Sequence, residues 1–143
     1  MLAGELDACI SERYFGQPTI SQVLLGEYSL SLVYPSAWNR EALNGKRPEI
    51  REFADRPFIT FEPGQTIRAR AVDYLAAVFD GMPRITTTVS GSTSVRVLVE
   101  NGLGYSVLPA WMVLPSDENV SRIDLDPIMS VKVYFGCSAF LQD

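Results

Sequence analysis

Apolar positions change their spacing several times along the chain, and each change marks an element. Residues 6–10 (Leu6, Asp7, Ala8, Cys9, Ile10) predict a short strand that enters a loop at 11–16. At 29–34, Leu30 and Leu32 alternate with serines, which is the two-residue period of a half-buried strand, and Pro35 stops it. Residues 36–56 are polar and broken by Gly45 and Pro48, so they predict a surface connection with a short helix at 51–54. Residues 57–61 are too rich in β-formers to be a loop and predict a strand ended by Pro63 and Gly64. From Thr66 the period lengthens. Ile67, Ala71, Tyr74 or Leu75, and Val78 recur every three or four residues and define one helical face. Thr66 is the expected N-cap, Gly81 the expected closing residue, and Pro83 a barrier to continuation.

Residues 84–89 predict a β-branched strand, and residues 90–94 a turn and cap cluster. Val95, Leu98 and Val99 mark a second helix that ends at Asn101 and Gly102. A strand follows at 105–108, stopped by Pro109, then a short apolar turn through Trp111 and Met112. Residues 122–125 and 130–135 are two more strands. Strand, helix, strand, helix, strand between 57 and 108 is an α/β pattern, for which parallel strands with crossover helices are expected.

With 143 residues, 47% of them hydrophobic, the chain has the size and composition of one ordinary domain. It carries 12 Lys and Arg against 17 Asp and Glu, a net charge of −5, with no basic run. That balance suits no phosphate backbone, so this stretch is not expected to bind nucleic acid directly. Histidine is missing altogether, which excludes His-based acid/base catalysis, Ser-His and Cys-His pairs and histidine metal sites. Cys9 and Cys137 are too far apart in sequence for a CxxC motif; a disulfide between them is the alternative to the preferred reading as two reduced, buried, small apolar residues. Glu5 and Asp7 stand where a signal peptide would be basic, and no apolar stretch reaches the roughly 18 residues of a membrane span. A cytoplasmic protein with no membrane contact is expected.

Chemical motifs are few. Gly102-Leu103-Gly104 lacks the third glycine of a dinucleotide loop, because position 107 is Val107, and it leads from helix to strand rather than the reverse. Gly91-Ser92-Thr93-Ser94-Val95 fails the nucleophile-elbow pattern at Val95. Glu62, Asp73, Asp80 and Glu100 are scattered and read as solvated charges. No enzyme, cofactor or metal is expected. A polar set does stand where α/β folds bind ligands, beyond strand ends and at helix starts. It comprises Thr60, Phe61, Glu62, Gln65 and Thr66 after one strand, and Ser90, Ser92 and Thr93 after the next. Helix starts favour anions such as carboxylates. Simple capping accounts for Thr66, Ser92 or Thr93 taken singly; the grouping of both loops at one sheet edge is what suggests a site.

The order of these residues resembles a known family. Gly4-Glu5-Leu6-Asp7, the strand at 29–35 and the strand at 57–61 resemble segments of LysR-type transcriptional regulators. The most telling stretch is Val97-Leu98-Val99-Glu100-Asn101-Gly102-Leu103-Gly104-Tyr105-Ser106-Val107-Leu108-Pro109, which is similar to the family's LV-x-x-GxGxxxLP segment. The resemblance implies a periplasmic-binding-protein-like (type II) α/β fold: two subdomains joined by crossover strands, with a small effector bound between them. On that mapping, residues 1–28 end the first regulatory subdomain and approach the hinge. Residues 29–135 form the second subdomain with its crossover strands, and residues 136–143 return toward the first. The chain is thus expected to be a fragment lacking the family's helix-turn-helix and part of its effector cleft.

The resemblance places effector contacts at Thr60, Phe61 and Glu62 and at Gly104-Tyr105-Ser106; Thr66, Ser90 and Thr93 join the candidate site from the strand-end and helix-start argument above. Tyr105 fits a ligand platform but fits a core aromatic better. Glu62 is a poor neighbour for an anion, and would either meet an amine or be balanced by Arg68. The effector expected is a small carboxylate or an amino acid. Self-association as a homodimer or higher oligomer is implied, and DNA contact only through the helix-turn-helix. The alternative is a stand-alone solute-binding or scaffold domain of similar fold. A third reading, an enzyme, requires Glu62 to converge with another acid.

Overall fold

The computed structural model describes residues 8–12, 20–41, 47–125 and 127–138. These fall into two compact units: residues 30–129, and the described residues on either side of that span. The smaller unit is an antiparallel ribbon. Its strands are β1 (Ala8–Ser11), the first part of β2 (Ile20–Pro35) and β7 (Ser130–Ser138). β7 lies between the other two, and a bulge between Leu24 and Gly26 shifts its register with β2.

The larger unit holds β3 (Phe58–Phe61), α1 (Thr66–Phe79), β4 (Ile85–Val89), α2 (Ser92–Glu100), β5 (Ser106–Pro109) and β6 (Val120–Asp124). β3 pairs with β4 in parallel, as the strand-helix alternation predicts. β3 also meets the start of β5 in parallel: the Tyr105 N–H donates to the Pro57 carbonyl (3.0 Å), and the Ile59 N–H donates to the Tyr105 carbonyl (2.8 Å). β5 is antiparallel to the second part of β2, which is antiparallel to β6. The strand order across the unit is therefore β4-β3-β5-β2-β6.

Successive side chains of a strand point to opposite faces, so each strand feeds two cores. On one face Phe53 packs against Tyr34 and Tyr105 (ring centroids 5.3 and 5.1 Å apart), and Tyr105 packs against Phe58 (5.0 Å). Helix α1, with Ala71 and Leu75 buried, packs with β3, β5 and the turn that carries Phe53. On the other face, Val95 and Val99 of α2 join Val33, Ile59, Phe61 and Leu108. Arg96 ties α2 to the loop beyond β5: it bonds the Met112 carbonyl and pairs with Asp117 and Glu100, each at 3.0 Å.

Several expectations need correction. β2 begins at Ile20 rather than residue 29, because its first part is held by pairing with β7 and not by an apolar period of its own. Its second part is buried on both faces, with Leu30, Ser31, Leu32, Val33 and Tyr34 all at or below 1% exposure. Strands flank it on both sides, and the Ser31 hydroxyl is satisfied by Asp124 (2.8 Å). The connection at 36–56 is not merely surface: it forms 3-10 turns at Ser36–Glu41 and Ile50–Phe53, and Phe53 is a core residue. Leu75, not Tyr74, is the buried member of the α1 face. Helix α1 is closed by Asp80 in the left-handed region (φ 54°) instead of by Gly81; aspartate tolerates that conformation better than most residues. Helix α2 ends before Gly102 (φ 79°), in the expected manner. Cys9 is half-buried rather than buried, and the Cys137 side chain lies outside the described residues. The same holds for the predicted loop from residue 13 onward and for residues 6 and 7 of the first predicted strand. Among the described residues, no helix is long and apolar enough to cross a membrane.

Gly104 sits where β5 meets β3. A Cβ there would stand 2.6 Å from the Pro57 carbonyl oxygen and 3.1 Å from the Ile59 side chain. Backbone cannot step aside as a flexible side chain can, so Gly104→Ala is expected to lower stability by about 1–3 kcal/mol in urea denaturation. Gly81→Ala, which meets nothing within 4 Å, is expected to change it by less than about 0.5 kcal/mol.

Candidate functional site

β3 and β4 end in register at Phe61 and Val89, so the segments that follow leave the sheet from one edge. Each runs into a helix within a few residues, at Thr66 and at Ser92. This edge gathers Phe61, Glu62, Thr66, Ser90 and Thr93. Glu62, Ser90 and Thr93 are exposed, and Thr66 is half-buried. Thr60 and Phe61 lie beneath them in the sheet, 1% and 5% exposed.

The caps differ from expectation in a way that matters for binding. The N-cap residues are Gln65 and Gly91, both extended, and neither caps its helix with a side chain. Thr66 and Ser92 are the first helical residues and Thr93 the second, so none of the three serves as the N-cap. The first helical hydrogen bonds run from Ala69 to the Gln65 carbonyl (3.2 Å) and from Val95 to the Gly91 carbonyl (3.1 Å). The first-turn N–H groups ahead of them have no partner within their helix. Two sets of amides without a helical partner, each at the positive end of a helix dipole, thus occupy one edge.

Arg68 adds a full charge. Its Nη1 donates to the Phe61 carbonyl (2.9 Å), which folds the guanidinium back over the end of β3. The periodicity of α1 places Arg68 one turn into the helix but does not show that the side chain returns to the strand end. Glu62 projects into solvent. Among the described residues, no group of three or more His, Cys, Asp or Glu could hold a metal. Hydrogen-bond donors, a guanidinium and two dipoles can bind an anion; they supply no general base.

Tyr105 and Ser106 lie elsewhere. Tyr105 bridges to Phe58, three residues before Phe61, so it stands about 10 Å back along the sheet at roughly 3.3 Å per residue. Both are fully buried, and neither hydroxyl has a partner among the described residues. Burial pushes the Tyr105 phenol far above its ordinary value. The ring packs on Phe53 and Phe58, so this tyrosine occupies the place of a core aromatic.

The model of the LysR substrate binding domain matches residues 1–139. The fold is that of several solved effector-binding domains. The effector-binding domain of QuiR in complex with shikimate superposes with a TM-score of 0.71 at 20% identity, covering 96% of this chain and 65% of that one. The regulatory domain of CcmR from Synechocystis PCC6803, in complex with 2-PG, gives 0.75 at 18% identity over 99% of this chain and 68% of that one. CbnR, a LysR family transcriptional regulator, gives 0.73 at 19% identity over 99% of this chain and 49% of that one. The chain therefore spans from about half to about two thirds of the proteins it resembles. No curated protein sequence matches it. These neighbours have the type II periplasmic-binding-protein-like α/β architecture, in agreement with the fold that the family resemblance implies.

A buried hydroxyl without a partner costs about 1–3 kcal/mol. Tyr105→Phe is therefore expected to hold or raise the melting temperature while leaving any ligand response intact. A clear loss of stability would show instead that the hydroxyl is bonded to something in the interior.

Proposed function

The chain belongs to the LysR substrate-binding domain family, and from that premise we propose that it is the small-molecule-sensing part of a bacterial LysR-type transcription regulator. The family match over residues 1–139 carries this reading. The effector is a small carboxylate or an amino acid, taken up at the edge formed by Phe61, Glu62, Thr66, Ser90 and Thr93. The amides at the starts of α1 and α2 receive its carboxylate, with Arg68 as the counter-charge. Glu62, exposed at the rim, favours an effector that also carries an amine. QuiR and CcmR, the neighbours solved with shikimate and 2-PG, bring small anionic ligands into the same fold, which supports this class.

Effector binding biases one arrangement of the regulatory domain by its differential affinity, and the bias reaches DNA through a helix-turn-helix beyond this chain. Self-association of the regulatory domains passes the signal between protomers, and the setting is cytoplasmic. The acidic balance of the 143 residues, −5 overall, leaves DNA contact to other parts of the protein.

The test is a thermal-shift screen of the 143-residue chain against small carboxylates and amino acids. A ligand at a hundredfold excess over its dissociation constant stabilises by about 2.7 kcal/mol. At least one compound is expected to raise the melting temperature, and Arg68→Gln and Thr93→Val are expected to weaken that shift. A hit unaffected by either substitution would refute the assignment of the site.

A further inference from the structure

The parallel strands have a second edge, at their amino ends, where a hollow of about 350 Å³ opens beside the paired residues Tyr34 and Ser121. Its polar wall is made by Tyr34, Asn39, Arg47, Asp117, Ser121 and Arg122, and Leu114 and Pro115 form an apolar flank. This edge lies across the sheet from the Phe61–Val89 edge, since Val33, next to Tyr34, pairs with Ser106 at the start of β5.

The wall is organised by hydrogen bonds rather than left to solvent. The Tyr34 hydroxyl donates to Asn39 Oδ1 (2.7 Å), Asn39 Nδ2 donates to Ser121 Oγ (3.4 Å), and Ser121 Oγ bonds Ser36 Oγ (2.8 Å). Tyr34 is itself only 1% exposed, so its hydroxyl is fixed at the floor. Arg122 is held in place by the carbonyls of Ala110 and Val113. The one carboxylate in the wall is already engaged. Asp117 accepts from Arg96 (3.0 Å) through one oxygen and from the Leu114 N–H (2.7 Å) through the other. Arg96 thus holds the Asp117 carboxyl below its usual range and offsets its charge. Arg47 brings to the hollow a guanidinium with no carboxylate partner among the described residues, and Arg122 shares its charge with Asp124 only at 3.7 Å, in a chain of net charge −5.

We propose that this hollow is a second ligand site, which takes a small organic anion by seating its charged end on Arg47 and Arg122 and its apolar body on Leu114 and Pro115. Its volume falls within the ordinary range of small-molecule pockets, roughly 300–1,000 Å³, and the mixed wall selects a charged head joined to a small apolar group. Phosphate and carboxylate heads share this chemistry, and the guanidinium fork suits both. Because the site and the strand-end edge share no residue, both can be filled at once.

Calorimetric titration of the 143-residue chain with phenyl phosphate tests the proposal, with inorganic phosphate and sodium benzoate in parallel. Phenyl phosphate is expected to saturate one site, with inorganic phosphate weaker for want of the apolar body. Benzoate decides the preferred head: a tighter fit than phenyl phosphate assigns a carboxylate, a weaker one a phosphate. Arg47 is exposed, so Arg47→Gln is expected to fold normally and to weaken binding at least about tenfold, with partial recovery in Arg47→Lys. Thr93→Val is expected to leave this titration unchanged. The proposal is overturned if none of the three probes saturates at millimolar concentration, if Arg47→Gln binds as the parent does, or if Thr93→Val removes the binding.

Discussion

The larger unit depends on one close approach of two backbones. β3 and β5 are separated in sequence by two helices and a strand, yet the chain must bring Pro57 and Ile59 within hydrogen-bonding distance of Tyr105. The approach leaves no room for a side chain at position 104, where even a methyl group would stand 2.6 Å from the Pro57 oxygen. Gly104 satisfies that constraint, and Gly102, in the left-handed region at φ 79°, turns the chain out of α2 just before it. The Gly-x-Gly spacing therefore reflects a helix exit followed by a strand docking, not a cradle for phosphates.

The remaining architecture follows from that contact. With β3 joined to β5, the β3–β4 pair and the β5–β2–β6 group become one sheet, and the crossovers α1 and α2 cover opposite faces. Each face then carries its own core, aromatic around Phe53 and Tyr105 on one side and aliphatic around Ile59 and Val99 on the other. Parallel strands that end together also start their helices together. That is why two helix amino termini and the Arg68 guanidinium share one edge, the edge on which the proposed carboxylate site rests.

Much of this was legible in the residues, and the parts that were not have physical causes. Helices α1 and α2 showed through because Ala71, Leu75, Val95 and Val99 repeat at helical spacing, and glycine, asparagine and proline punctuate their ends. The parallel pairing followed from the strand-helix alternation. The first part of β2 was hidden because residues 20–28 carry no alternation; their strand character comes from the distant partner β7. Phe53 was hidden because a single core aromatic in a polar stretch has no period to reveal it. The caps were misread for a different reason. Threonine and serine at 66, 92 and 93 are favoured cap types, but the chain turns one residue earlier, at Gln65 and Gly91. That shift, invisible to residue preference, leaves both helix starts without a side-chain cap. Of the proposed contacts, Tyr105 and Ser106 fall furthest from the rest, since a sequence stretch shared with a family says nothing about which end of a strand faces the ligand.

The central claim is that the first turns of α1 and α2 receive the effector's carboxylate, and amide hydrogen exchange tests it most directly. Without ligand, the amides of Thr66, Ile67 and Arg68 and of Ser92, Thr93 and Ser94 should exchange rapidly, as groups without helical partners do. With a compound that raises the melting temperature, those same amides should slow together, ahead of the rest of the chain. Protection of these amides in the free protein, or a stabilising ligand that leaves them unchanged, would contradict the account.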